Sequence, residues 1–165
     1  MSRVKAVQQT DLSPEDQEFY NMVPTLLGRV PNFHKTLSNS PYLAMAFLPI
    51  NALAQREWVG TDISGRLKEL IVIKTSHTNG CKYCYAHNTA LGQAAGIEEE
   101  HIQALSLNDF SDPDLFSEDE VLAIKWAEAV TNNSAASNDE LFKELKEVFT
   151  EKQIVEMTIL ASMFN

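Results

Sequence analysis

Helix-start signals recur along this chain and constrain its fold more than any other feature of the sequence. The segment SPED at 13–16 places a serine before a proline and two acids, as at a helix N-terminus. Ser117 with Glu120, and Thr150 with Gln153, have the spacing of capping boxes. No segment of useful length alternates apolar and polar residues as a half-buried strand would. The sequence therefore predicts an all-α fold of about seven or eight helices.

The run LIVI at 70–73 is the stretch that most resembles a short buried strand. It lies inside the segment DISGRLKELIVIKTSHTN at 62–79, where apolar residues at 63, 67, 70, 71 and 73 have a mostly helical spacing. The length of that segment also favours a helix, as do its four charged side chains, Arg66, Lys68, Glu69 and Lys74. We therefore predict a helix here, too.

The length of the chain indicates a single domain, because 165 residues can bury a real core without disulfide support. We expect an N-terminal helical extension at about 1–60, a central region at about 61–105 and C-terminal helices at about 117–165. The central region is expected to carry the two cysteines at the N-terminus of a central helix.

The net charge of −10 argues against nucleic acid and against anionic membranes as partners. The first sixteen residues contain no apolar stretch of the kind found in a signal peptide. The longest apolar runs are too short to span a bilayer. From these observations we expect a cytoplasmic protein.

Both cysteines of the chain, Cys81 and Cys84, lie in the segment NGCKYCYAHN at 79–88. We expect Thr78 or Asn79 to cap a helix here, which places Cys81 in its first turn. Unpaired backbone N–H groups at that position favour a thiolate, the nucleophilic form of cysteine. Two residues three apart on a helix also lie close enough for small adjustments to allow a disulfide. The spacing therefore suits a redox-active dithiol.

Several side chains around the pair are candidates for supporting roles. His87 follows Cys84 by three residues, so it can act as a general base toward that thiol. Asn88 shares the helix face of the cysteines, and Tyr83 lies between them in the chain. His77 ends the preceding helix, where it either caps that helix or faces the cysteines.

Glu69 is the acidic candidate. Its apolar neighbours in KELIVI suggest partial burial, which would raise its pKa. If its helix packs against the cysteine helix, Glu69 could approach Cys84 and His87. The alternative is an exposed glutamate that pairs with Arg66 or Lys74, and the spacing alone leaves both interpretations open.

A zinc site is the main rival to the redox dithiol. His77, Cys81, Cys84 and His87 would form a Cys₂His₂ ligand set. Three of these four residues would come from one continuous helix, whereas structural zinc sites usually draw ligand pairs from two elements. The chain is also long enough to fold without a metal. The dithiol is favoured, and zinc remains the alternative.

The order of these residues resembles a known signature. Glu69, eleven further residues, CKYC and then a histidine are similar to the pattern of the AhpD-like family, which shares its fold with carboxymuconolactone decarboxylases. The segment at 28–47 resembles the N-terminal part of the peroxidase-related branch, and the segment at 149–165 resembles its C-terminal helix. The resemblance implies an AhpD-like helical bundle over 1–165 that assembles into trimers or hexamers. It disfavours decarboxylase activity, since that branch generally lacks the CxxC pair.

The resemblance also implies roles for the site residues. Glu69 and a histidine would form a proton relay, with Cys84 as the peroxidatic and Cys81 as the resolving cysteine. The helix-terminus argument alone favours Cys81 as the more acidic thiol. The usual family spacing puts the histidine at the position of Asn88, whereas His87 comes one residue earlier, a rotation of about 100° on a helix.

Our leading hypothesis from the sequence is therefore a thiol-dependent peroxidase without a cofactor. It would reduce hydroperoxides through the CxxC pair, and an external dithiol protein would regenerate it. One alternative is a redox sensor or dithiol–disulfide partner protein with little peroxidase activity. A zinc-bound structural module is the other.

Overall fold

The computed structural model describes residues 3–165 and contains nine α-helices and no strand within them. The helices are α1 (Pro14–Leu27), α2 (Asn32–Leu37), α3 (Pro41–Gln55), α4 (Gly65–Thr78), α5 (Lys82–Ala94), α6 (Glu99–Leu107), α7 (Glu118–Thr131), α8 (Asp139–Val148) and α9 (Glu151–Phe164). Short 3₁₀ turns lie at Gln9–Asp11 and Ala135–Ser137. The predicted all-α class is confirmed.

The two shortest of the nine helices, α2 and α6, begin without the standard sequence signals. α2 has six residues and follows Pro31, which provides no side-chain cap. At the start of α6 the backbone N–H of Glu98 donates to Nδ1 of His101, at 3.1 Å. A glutamate and a histidine thus occupy positions that a serine or threonine and a glutamate usually hold. This is why the clearest caps indicate only seven or eight helices.

The predicted helix starts are capped as their sequences indicate. The Ser13 hydroxyl oxygen accepts the N–H of Asp16 at 3.1 Å, and that of Thr150 accepts the N–H of Gln153 at 3.2 Å. At α7 the N–H of Ser117 donates to the Glu120 carboxylate at 3.2 Å. Local hydrogen bonds therefore account for three of the helix boundaries.

The chain divides into two compact units, Met1–Leu53 and Ala54–Asn165. In the first unit the apolar core comes from α1 and α3, with buried Phe19, Val23, Leu27, Ala44, Leu48 and Ala52. The second unit has one apolar cluster where α4, α7, α8 and α9 meet and another where α4 meets α6 and α7. The single domain over 1–165, with segments at about 1–60, 61–105 and 117–165, remains a prediction.

Within the second unit α4 is the enclosed helix, and it packs against α5, α6, α7 and α9. The LIVI run is helical, and all four of its residues are buried. Consecutive residues of α4 are buried from Leu70 to Ser76, as expected of a helix that is covered on all sides. α5, which begins after Cys81, buries only Asn88 and Gly92. The CxxC pair lies at the N-terminus of a helix of the bundle, as predicted, and that helix packs directly against α4.

The hairpin of α4 and α5 depends on a close approach at Gly92. A Cβ atom at this position would lie 2.7 Å from Cδ1 of Ile73, which is closer than real contacts allow. α5 then ends in a Schellman motif, where Gly96 has a φ of +82° and the N–H of Ile97 donates to the Gly92 carbonyl at 2.9 Å. These contacts set the register of α5 against α4.

None of the helices between Arg3 and Asn165 combines the length and apolar character needed to cross a lipid bilayer.

Candidate active site

Cys81 and Cys84 are joined by a disulfide, with their Cα atoms 5.3 Å apart. That separation lies within the usual range for disulfides. Both residues are half-buried at the start of α5, so the bond is partly accessible from solvent. The two cysteines predicted to act together are thus brought together by the fold.

Cys81 is itself the N-cap of α5, which corrects the expectation that Thr78 or Asn79 would cap it. Asn79 is the C-cap of α4, and Gly80, with a φ of +71°, turns the chain between the helices. The sulfur of Cys81 accepts the backbone N–H of Cys84 at 3.2 Å. It occupies the place that a serine oxygen takes at most helix starts, where negative charge is favoured.

The aromatic candidates lie around the cysteines in two pairs. The ring of Tyr83 stacks on that of His87, with 5.8 Å between the centroids. Tyr83 is exposed and His87 is half-buried. His77 is exposed at the end of α4, and its ring lies 5.6 Å from that of Tyr85. The Tyr83–His87 pair therefore belongs to the same helix as the disulfide, and His77 borders it from the preceding helix.

Asn88 is the most deeply buried of the candidates, with 1% of its surface exposed. Its amide nitrogen donates to the Cys84 carbonyl oxygen at 2.7 Å and approaches the Ser76 hydroxyl at 3.5 Å. Its amide oxygen has no hydrogen-bond partner. Asn88 therefore connects the turn that carries Cys84 to the last turn of α4.

Glu69 is half-buried on α4, and one of its carboxylate oxygens is buried without a hydrogen-bond partner. Burial raises the pKa of this carboxyl from 4.5 to about 7, while the positive charge of Arg56 acts in the opposite direction. A group with such a pKa exchanges protons readily near neutral pH. Of the two interpretations that the spacing left open, partial burial is therefore the one that fits Glu69.

The alternative of an exposed, ion-paired Glu69 does not describe this structure. Both proposed partners are engaged elsewhere, Arg66 with Glu120 at 2.7 Å and Lys74 with Glu128 at 3.2 Å. Both bridges tie α4 to α7, and Lys74 is buried in doing so. The cationic side chains beside Glu69 thus hold the bundle together.

The register of the hairpin places Glu69 away from the level of the cysteines. Ile73 lies opposite Gly92, and Ser76 lies opposite Asn88. Glu69 comes two turns before Ser76, about 10 Å along α4. Cys84 lies a further turn beyond Asn88 in the other direction. Proton transfer between Glu69 and the sulfurs therefore requires a chain of intervening waters.

The proposed zinc ligands do not converge. The two sulfurs bond to each other, and His77 rests against Tyr85. Within residues 3–165, no three side chains of the metal-binding types are placed to hold a metal ion together. The geometry therefore favours the redox interpretation of the CxxC segment.

The sequence did not reveal that Asn88 would be buried or that Ser76 would face it. Both residues are polar and uncharged, and neither stands out in composition. The available signal was the position of Asn88, four residues after Cys84 and on the same helix face. Which residue of α4 would lie opposite Asn88 depends on helix packing.

The sequence is similar to that of a known protein family. A sequence model of the carboxymuconolactone decarboxylase family matches residues 47–129, just over half of the chain. The uncharacterized protein YdfG of Bacillus subtilis (strain 168) is 28% identical over 106 residues, which cover 64% of this chain and 71% of YdfG.

Solved structures share the fold over nearly the whole chain. An uncharacterized peroxidase-related protein from Ralstonia eutropha JMP134, described as an alkylhydroperoxidase AhpD core, superposes with a TM-score of 0.80 at 21% identity. The apo debrominase Bmp8 superposes with a TM-score of 0.79 at 23% identity. The matches cover 99% of this chain and 84% and 85% of the other two, respectively. At these identities they confirm the predicted AhpD-like fold.

Proposed function

This chain belongs to the carboxymuconolactone decarboxylase family, and within that family we propose that it is a thiol-dependent peroxidase that acts on hydroperoxides. The observation that carries the proposal is the Cys81–Cys84 disulfide, half-buried at the N-terminus of α5. Two sulfurs in this position can pass between dithiol and disulfide without a change of fold. The CxxC pair also argues against decarboxylase activity.

The reaction uses the two cysteines in sequence. One thiolate attacks a peroxide oxygen, so that an S–O bond forms, the O–O bond breaks and the alkoxide leaves to become an alcohol. The second sulfur attacks the sulfenic acid, so that the S–S bond forms and the oxygen leaves as water. An external dithiol then reduces the disulfide by exchange and becomes oxidised itself. The sum converts a hydroperoxide and a dithiol into an alcohol, water and a disulfide.

Glu69 and His87 are the proposed proton-transfer groups. The raised pKa of Glu69 suits it to give up and take back a proton near pH 7. His87, one turn from Cys84 on α5, can serve the leaving oxygen directly. Because Glu69 lies about two turns before Ser76 on α4, we propose that it exchanges protons with the cysteines through a chain of water molecules.

The proposed chemistry needs no cofactor, since the peroxide is the oxidant and a partner dithiol protein is the reductant. Such reductants are maintained in the cytoplasm, where we place this protein. Following the family resemblance, we propose a homo-oligomer, a trimer or a hexamer. Tyr83, His77 and Asn88 border the disulfide as supporting residues.

A redox sensor or dithiol–disulfide partner protein is the second candidate function. The observation that favours it is Asn88, which occupies the usual position of the relay histidine and cannot transfer protons. Such a protein would form and lose its disulfide but consume peroxide slowly. Turnover measurements therefore separate the two functions.

The test is the consumption of an organic hydroperoxide in the presence of a dithiol reductant. Cys84→Ser and Cys81→Ser are each expected to abolish catalytic turnover, because either change prevents disulfide formation. Ala90→Ser, an exposed position on the same helix, is the control and should keep wild-type turnover. Undiminished activity in both cysteine variants would exclude the dithiol mechanism. A slow wild-type enzyme that still cycles its disulfide would favour the redox-partner function.

A further inference from the structure

The orientation of the Asn88 amide is determined by its neighbours. The Cys84 carbonyl accepts from the amide nitrogen and can only accept. The Ser76 hydroxyl donates its proton to the Val72 carbonyl at 2.7 Å, so it too can only accept from Asn88. The amide oxygen of Asn88 therefore points elsewhere, and it has no partner despite 99% burial.

A buried acceptor without a partner is unfavourable, and the Cys84 thiol is a candidate donor one turn away on the same helix. Residues four apart on a helix are neighbours on one face. The amide of Asn88 already reaches the backbone of Cys84 at 2.7 Å. In the disulfide the Cys84 sulfur has no proton to donate, whereas in the dithiol form it carries one.

The sulfur of Cys81, by contrast, meets a hydrogen-bond donor. It accepts the N–H of Cys84 at the N-cap of α5, where the backbone donors of the first turn favour an anion. The Cys81 sulfur thus meets a backbone donor, whereas the unpartnered acceptor belongs to the residue one turn after Cys84.

We propose that Asn88 is a positioning residue that assigns the roles of the two cysteines: its amide oxygen accepts the S–H of reduced Cys84 and keeps it a thiol, so that Cys81 is the attacking thiolate. This assignment rests on the proposed dithiol chemistry and reverses the one that the family resemblance implies. Cys81 forms the S–O bond with the peroxide. Cys84 then attacks the Cys81 sulfur and gives up its proton to the departing oxygen, which leaves as water.

Other titratable groups also lie close to the cysteines in the chain. On α5 and α4 they are Lys82, Tyr83, Tyr85, His87 and His77. Glu69 lies further along α4. The substitutions below leave all of these groups in place, so a change in thiol reactivity reports on position 88 itself.

Lys82 allows a direct measurement of the two thiols. Trypsin cleaves after it, so Cys81 falls in the peptide 75–82 and Cys84 in the peptide 83–125. The reduced protein is treated with a limiting amount of iodoacetamide between pH 5.5 and 9, and the label on each peptide is measured by mass spectrometry. We expect Cys81 to be labelled several-fold more than Cys84 at pH 7.

Two substitutions of Asn88 should move the labelling ratio in opposite directions. Asn88→His supplies a donor to the Cys84 sulfur and should raise Cys84 labelling relative to Cys81 by about tenfold, the effect of one pH unit in thiol ionisation. Asn88→Asp is nearly isosteric, supplies acceptors and negative charge, and should lower Cys84 labelling further. Ala90→His adds the same ring at an exposed position of α5 and should leave the ratio unchanged.

Damage to packing would shift both Asn88 variants in the same direction and would overturn the proposal. Faster labelling of Cys84 than of Cys81 in the wild-type protein would also overturn it. These measurements need no peroxide, so they can fail while peroxide turnover persists, and they can succeed in a protein without peroxidase activity. The outcome is therefore separable from that of the proposed function.

Discussion

Glu69 shows how strongly burial can change one side chain. Its carboxyl group has an apolar setting on α4 and an unpartnered oxygen, and its pKa is about 7. In the unfolded chain the same group has a pKa near 4.5. Between these two values the folded protein binds more protons than the unfolded chain. The contribution of Glu69 to the free energy of unfolding therefore decreases as pH rises from about 4.5 to 7.

The variant Glu69→Gln should remove this dependence. Above pH 7 it should increase the free energy of unfolding by up to about 3 kcal/mol, because no buried charge then has to be formed. Below pH 4.5 the difference should vanish. Urea unfolding at pH 4.5, 6 and 8 measures the effect.

Glu144→Gln, at an exposed position of α8, is the control for the loss of a surface charge. Peroxide turnover provides a second measurement. If Glu69 transfers protons, wild-type turnover should rise as Glu69 ionises near pH 7, and Glu69→Gln should lose this rise. A variant that matches wild-type stability at pH 8, and keeps the same pH profile of turnover, would argue against an ionisable role for Glu69.

The packing of α5 on α4 is decided at Gly92, whose missing side chain admits Ile73. Gly92→Ala should lower the free energy of unfolding by about 1–3 kcal/mol through overpacking, partly offset by about 1 kcal/mol of improved helix propensity. Ile73→Val removes the methyl group that the new Cβ would meet. Combined with Gly92→Ala, it should therefore cost less than the two single changes added together.

A double-mutant cycle in urea measures this coupling. Gly65→Ala at the start of α4 is the matched control, because the atoms nearest to its new Cβ belong to the side chain of Glu57. Strict additivity of Gly92→Ala and Ile73→Val would contradict the close contact.

The two helices without standard signals illustrate the limit of pattern reading for single elements. α2 follows a proline and has no side-chain cap. α6 begins with Glu98 and His101, whose hydrogen bond is recognisable only once the helix is formed. Longer helices with serine or threonine caps, such as α1 and α9, could be predicted because their start signals are local.

The molecule as a whole carries a net charge of −10, yet residues 36–55 contain no charged side chain. Much of α3 falls in this stretch and leaves apolar side chains exposed, including Tyr42 at 76% and Leu43 at 65%. Copies with the same negative charge repel one another, so they dock most easily through an uncharged surface. We predict that α3 contributes to contacts between copies of the chain.

Leu43→Glu should therefore shift the protein toward monomers, as measured by size-exclusion chromatography with light scattering. Leu107→Glu, at a similarly exposed apolar position at the end of α6, is the control and should leave the mass unchanged. A wild-type protein that is monomeric at all concentrations, or equal effects of both variants, would exclude this role for α3.

The helical class and the redox pair could be predicted because they depend on residues close together in the chain. Caps, helical spacing and the three-residue separation of Cys81 and Cys84 act within one or two turns. The order of Glu69, the cysteines and a histidine likewise indicates the family, because it is a pattern within the sequence itself.

The surroundings of the site residues depend instead on the register of α4 against α5. It buried Asn88 against Ser76 and placed Glu69 two turns away from that contact. It also left the amide oxygen of Asn88 without a hydrogen-bond partner. These outcomes depend on which helix faces meet, and that choice minimises the exposure of apolar surface over the whole bundle. No local pattern contains that information, so only the tertiary structure could show what surrounds the two sulfurs.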